Sequence, residues 1–239
     1  MPARFYCPDP PRNGRLQLNA DESRHLTRVC RLGAGDCIEV FDGRGSVATA
    51  QVLAIGAGCV ELSIEADWLS EDPHPISLTL ATAVPKGDRF DWLIEKATEL
   101  GVERLIPLVT DRSVVDPRGS KLGRLRRSII EASKQCRRAR LMVLDDPIEW
   151  TTLIASFPGA TRFLADPAGI PPSRWPMIPR DGAVVLAVGP EGGLTPSERE
   201  LAHESGWFGI RFSLNMLRIE TAGLAGCAAL LARVPEADE

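Results

Sequence analysis

From residue 76 onward the chain alternates between two periodicities. Apolar, β-prone runs at 76–84, 104–109, 161–165, 183–188 and 210–213 read as strands, and segments at 88–100, 120–138, 147–156, 196–205 and 217–233 read as helices. Strands separated by helices of this length do not pair as tight hairpins, because each return to the sheet is a crossover. The pattern therefore predicts an α/β domain with a mostly parallel sheet. In such sheets ligands bind at loops beyond the carboxyl ends of the strands.

The amino-terminal part reads differently. Short β-prone pieces at 37–41, 47–53 and 59–64 are separated by Asp42-Gly43-Arg44-Gly45 and Gly56-Ala57-Gly58. This is the pattern of a small β-barrel, interrupted by one short helix near 21–32. The acidic connector Glu71-Asp72-Pro73-His74-Pro75, stiffened by two prolines, separates the regions. Two domains are expected, 1–72 and 73–239, and a chain of 239 residues can bury its cores without disulfide or metal staples.

The strongest local signal runs from 183 to 198. A buried strand enters Gly189-Pro190-Glu191-Gly192-Gly193-Leu194, then Thr195 as N-cap, Pro196 at the first helical position and Glu198 closing a capping box. Glycines let backbone approach a ligand closely, and the helix start adds free N–H groups. A plain strand-to-helix turn would use the same glycines, but it does not need Glu191 between them. The loop is neither a Walker loop nor G-x-G-x-x-G. Leu32-Gly33-Ala34-Gly35-Asp36 imitates the latter, but follows a helix and precedes a strand, so it reads as a turn. A second stretch, 211–222, also leaves a strand and enters a helix. Arg218 and Glu220 start a helix that is otherwise almost apolar all round, hence buried. They read either as a salt bridge at that helix end or as part of a site beside the glycine loop.

Formal net charge is −4, which taken whole argues against a protein coated for nucleic acid. The average conceals an asymmetry. Between Arg112 and Arg140 ten basic residues stand against Asp116 and Glu131, a local +8 on a remainder of −12. Helical spacing puts Leu122, Leu125, Ile129, Ala132 and Cys136 on a buried stripe and Arg124, Arg127, Lys134 and Arg138 opposite. The face reads as a phosphate-backbone contact or as a solvated surface. Arg24, Arg28 and Arg31 repeat the pattern on a smaller scale. The six cysteines sit in or beside apolar runs, as buried reduced thiols do, and three histidines without a Cys-x-x-Cys pair argue against a metal. No apolar run approaches a membrane span, and a soluble cytoplasmic protein is expected.

The blocks at 88–102, Gln135-Cys136-Arg137-Arg138, the 189–193 loop and Leu217-Arg218-Ile219-Glu220-Thr221-Ala222 resemble the signature blocks of the RsmE family. These are 16S rRNA uracil-N3 methyltransferases of the SPOUT superfamily. His25 to Leu32 and Phe41-Asp42-Gly43 are similar to it too. The resemblance implies a PUA-like RNA-binding barrel followed by an α/β SPOUT domain with a carboxyl-terminal trefoil knot. It implies S-adenosylmethionine as cofactor, a homodimer packed partly through the last helix, and small-subunit rRNA, within the assembled 30S subunit, as substrate. The cofactor is then expected at Leu164, Ala165, Gly189, Glu191, Gly192, Gly193, Leu214, Met216 and Leu217. Arg138, Arg218 and Glu191 are the catalytic candidates, and Arg24, Arg28, Arg31, Arg124, Arg127, Lys134 and Arg138 the RNA contacts; no metal is needed. Where the family usually has Gly, Pro and Arg, this chain has Ser213, Leu214 and Asn215, a triplet similar to a motif of SPOUT ribose 2′-O-methyltransferases. A ribose methyltransferase and a non-catalytic RNA-binding assembly factor are the alternatives, and a dinucleotide oxidoreductase lacks its fingerprint.

Overall fold

A computed structural model of the chain describes residues 2–56, 58–64, 68–70, 76–115 and 122–234. The connector at 71–75, and Asp116, Arg118 and Lys121 of the basic segment, lie outside the described residues. In chain order the elements begin with β1 (Arg4–Tyr6), β2 (Arg15–Leu18), α1 (Ala20–Arg24), β3 (Cys37–Phe41), β4 (Ser46–Ile55), β5 (Val60–Ile64) and β6 (Leu69–Ser70). They continue with β7 (Ser77–Ala83), α2 (Arg89–Glu99), β8 (Arg104–Val109), α3 (Leu122–Cys136), β9 (Val143–Leu144), β10 (Ile148–Glu149) and α4 (Trp150–Ala155). Last come β11 (Thr161–Ile170), β12 (Ala183–Val188), α5 (Pro196–Glu204), β13 (Phe208–Ile210) and α6 (Ile219–Leu231). Two compact units result, Met1–Pro73 with Ile130–Leu141, and His74–Ile129 with Met142–Glu239.

In the first unit the strand order is β1-β3-β4-β5-β2, with β6 on β4, and every pair except β1–β3 is antiparallel. Alternation does the sorting: Leu16 and Leu18 of β2 and Ile38 and Val40 of β3 turn to one side and are buried with Phe5, Val52 and Leu62. Among the described residues the ladder runs from β1 at one end to β2 at the other, with no pair joining these two strands. The strands β1, β2 and β6, two to four residues long, are too short to announce themselves by periodicity.

The helix expected at 21–32 is shorter and broken. The Asn19 side chain accepts the Glu22 N–H to start α1, and a π-helical turn at His25–Val29 follows. Arg31 then adopts φ +56°. The widened turn shifts the register, so Arg24, Arg28 and Arg31 are exposed but do not share one α-helical face. Arg24 is also 3.5 Å from Asp21.

Leu125, Ile129 and Ala132 of α3 are buried as expected, Cys136 only half so, and Arg124 and Arg127 are exposed. Lys134 corrects the sequence reading. Its ammonium lies 3.0 Å from Glu22 Oε1 and 3.1 Å from Glu131 Oε1, with 8% of the side chain exposed. A buried ammonium held by two carboxylates is not offered to an RNA backbone. The cysteines divide as well: Cys7 and Cys227 are buried, Cys30, Cys59 and Cys136 half-buried, and Cys37 exposed on the outward side of β3.

In the second unit all pairs are parallel and the order is β10-β8-β7-β12-β11-β13, with β9 on β8. The central strands β7 and β12 are nearly continuous in burial, as strands covered on both faces must be. Four elements depart most from expectation, and β11 is the first, running to Ile170 rather than ending at 165. The segment at 147–156 opens as β10, because Ile148 and Glu149 pair with Leu108 and Val109 before α4 begins. The last strand is Phe208–Ile210 rather than 210–213, and the last helix starts at Ile219 with Arg218 as N-cap. α6 lies against β7, β12 and α2, and Gly226 permits the approach: a Cβ there would stand 2.6 Å from Leu186 Cδ2. No described helix is long and apolar enough to cross a membrane.

Candidate active site

β12 delivers Gly189 at the carboxyl edge of the sheet. Pro190 O accepts the Gly193 N–H at 2.8 Å, closing a turn in which Gly193 has φ +67°, a conformation that suits glycine. Leu194 is buried beneath the loop. Thr195 N–H then donates to Glu198 Oε2 at 2.7 Å while Thr195 Oγ1 accepts the Glu198 N–H at 3.3 Å, the capping box that the spacing predicts.

Glu198 also reaches outside its own helix. Its Oε1 accepts the Asp111 N–H at 2.9 Å, and so fixes the loop that leaves β8. The next residue, Arg112, donates from Nη1 to Gly192 O at 2.8 Å. The glycine loop is thus tied to the cap of α5 through the loop after β8, two strands away in the sheet.

A second arginine holds the loop from α2. Arg89 Nε donates to Lys86 O at 3.1 Å, and its guanidinium stands 3.9 Å from Glu191 Oε1 and 3.6 Å from Glu220 Oε1. Glu220 is 6% exposed, and its Oε2 has no hydrogen-bond partner among the described residues. Glu220 therefore pairs with Arg89 rather than with Arg218, its neighbour in sequence. Arg218 is exposed at the amino end of α6.

Three segments enclose a cavity of about 490 Å³: the middle of β11 at 164–167, where its register breaks, the turn after β12, and 210–219 after β13. Leu164, Ala165, Gly189, Glu191, Gly192, Gly193, Met216, Leu217 and Arg218 line it, as the sequence reading brings together. Leu214 is 91% exposed and does not, because the turn in which Ser213 Oγ accepts the Asn215 N–H carries it outward. Arg138 belongs to the first unit, where its N–H donates to Ser133 O, and is not among the lining residues. Sequence reasoning missed Arg112, Asp166, Arg199 and Arg211, all of which line the cavity. The only signal available for Asp166 was its place after an expected strand. Volume, apolar walls such as Val188 and Phe212, and glycine backbone at the mouth suit a nucleoside-sized ligand. Among the described residues no group of three His, Cys, Asp or Glu side chains could hold a metal ion.

Two known families match the chain, an RNA methyltransferase domain over residues 72–231 and an RNA methyltransferase PUA domain over residues 18–65. Ribosomal RNA small subunit methyltransferase E of Synechocystis sp. is 33% identical over 217 residues, 87% of this chain and 69% of that protein. The chain belongs to the ribosomal RNA small subunit methyltransferase E family. The Bacillus subtilis member is 28% identical over 90% of this chain and 89% of its own. The Neisseria gonorrhoeae member, solved bound to S-adenosylmethionine, superposes with a TM-score of 0.87 at 29% identity, covering 96% of this chain and 97% of that one. A Legionella pneumophila protein solved with the same cofactor gives 0.88 at 26% identity over 98% of both chains.

Proposed function

We propose that this protein methylates N3 of a uridine in 16S ribosomal RNA, with S-adenosylmethionine as the methyl donor. The observation that carries the reading is the cavity at the break in β11 and the carboxyl ends of β12 and β13, walled by the two motif loops of a methyltransferase E family chain. When bound, the cofactor supplies an electrophilic methyl group on a sulfonium. The transfer breaks that sulfur–carbon bond, forms a bond to N3 and releases the N3 proton, so the protein must align the acceptor and receive the proton.

Glu191, one of two carboxylates that line the cavity, takes that proton or holds the cofactor's ammonium. The second role discriminates cationic donor from neutral product, and an unchanged ratio of the two affinities in Glu191→Ala counts against it. Arg218 has no side-chain partner among the described residues and suits the negative charge that develops on the uracil carbonyl oxygens. Arg138 we assign with Arg24, Arg28, Arg31, Arg124 and Arg127 to the RNA backbone.

The reading extends to two domains, a PUA-like RNA-binding domain at 1–72 and a SPOUT domain at 73–239 with a carboxyl-terminal trefoil knot. It also includes a homodimer packed partly through α6, the assembled small subunit as substrate, and a cytoplasmic site of action. The family matches and the placement of β12 between β7 and β11 support it. The experiment is incubation with labelled S-adenosylmethionine and small subunits that lack the modification, followed by nucleoside mass spectrometry. 3-Methyluridine is expected; a methylated ribose, or no product from folded protein that binds the cofactor, overturns the reading.

A further inference from the structure

Four arginines, Arg112, Arg199, Arg211 and Arg218, line the cavity against two carboxylates, Asp166 and Glu191. The second carboxylate is shared with Arg89. The lining therefore carries surplus positive charge around a site whose cofactor is itself a net cation. Like charges repel, so this surplus opposes the donor and calls for an anionic partner. Two of the cations also stand where the backbone disfavours them: Arg199 follows the capping residue Glu198 in the amino-terminal turn of α5, and Arg218 is the N-cap of α6. A helix start repels cations. Among the described residues the side chains of Arg199, Arg211 and Arg218 make no ion pair or hydrogen bond, so no internal contact offsets that placement.

We propose that Arg112, Arg199 and Arg211 form a phosphodiester-binding rim for the RNA segment that carries the target nucleotide, leaving Arg218 to the base. The inference rests on the proposed methyltransferase reading and adds a second RNA contact to the one expected on α3. Arg112 has a double part. Nη1 fixes Gly192 O, and the rest of the guanidinium stays exposed at the cavity. Backbone contact by arginine is independent of sequence and releases counterions, so it is read in salt dependence.

The test measures binding of a labelled single-stranded RNA oligonucleotide spanning the methylated site across a potassium chloride series, with calorimetric titration of S-adenosylmethionine beside it. Arg199→Gln and Arg211→Gln should each flatten the slope of log affinity against log salt by about 0.7. The cofactor affinity should be unchanged or tighter. On small subunits the variants should raise KM for RNA and retain kcat at saturation. Arg199→Lys should keep the slope, and Arg174→Gln, an exposed arginine away from the cavity, should leave it unaltered. Unchanged slopes, or a loss confined to cofactor affinity, overturn the rim. If the unaltered protein makes no methylated product but binds RNA with slopes that these substitutions flatten, the rim stands and the methyltransferase reading falls.

Discussion

Glu198 serves two structures with one carboxylate. It closes the capping box of α5 and anchors the loop that carries Arg112 to the glycine turn. Glu198→Ala should cost about 1–2 kcal/mol in urea unfolding, from the lost cap and the orphaned Asp111 N–H. It should also weaken S-adenosylmethionine binding, because Arg112 loses its support; lost stability with unchanged affinity would show that the tether does not reach the site. Glu22 makes a different case. Burial pushes its carboxyl above the ordinary value of 4.5, against the pull of Lys134. The native chain then holds this proton more tightly than the unfolded one, so the contribution of Glu22 to stability falls as pH rises from that value. The stability of the unaltered protein minus that of Glu22→Gln should increase as pH is lowered from 7 toward 4.5, followed by urea unfolding; a flat difference would refute it.

At the level of elements, Gly169 marks a point that β11 cannot alter. A Cβ on it would stand 2.5 Å from Gly209 C and 2.6 Å from Gly209 O, backbone that cannot rotate away. The register of β11 against β13 shifts between Ala165 and Ile170, and the intervening Asp166 and Pro167 line the cavity. Gly169→Ala should lose about 1–3 kcal/mol in thermal or urea unfolding through this overpacking. The same strands show what the sequence could reveal. The passage from β12 through the glycine loop into α5 was legible because each of its signals is local: a buried run, a turn, a cap, a proline at N1. β10 was not, since two residues have no period and their extended shape comes from pairing with β8. Arg89, Arg112 and Asp166 were invisible for a related reason. Their roles depend on which loops the sheet order makes neighbours, and Glu220 accordingly found Arg89 in α2 rather than Arg218 beside it.

Across the whole molecule, charge is distributed rather than balanced. The basic segment at 112–140 stood out in the sequence, yet its members have separate fates: Lys134 is buried among carboxylates, Arg124 pairs with Asp91, and Arg112 joins the cavity. Arg127 donates only a long 3.5 Å contact to Gly123 O and stays exposed. Arg127→Ala should therefore reduce the salt slope of RNA binding by close to one charge's worth, about 0.7 for a single strand, and Arg124→Ala by less, since Asp91 already neutralises it. Equal effects would show that the Arg124–Asp91 pair opens on RNA. The sheet order has a consequence for synthesis. β12, flanked by β7 and β11, is the centre of the second sheet but nearly the last strand to be made. From the completion of β7 at residue 83 until residue 188 has left the ribosome, β7 presents an unpaired edge, so the nascent chain is exposed to edge-to-edge association for a large part of its translation.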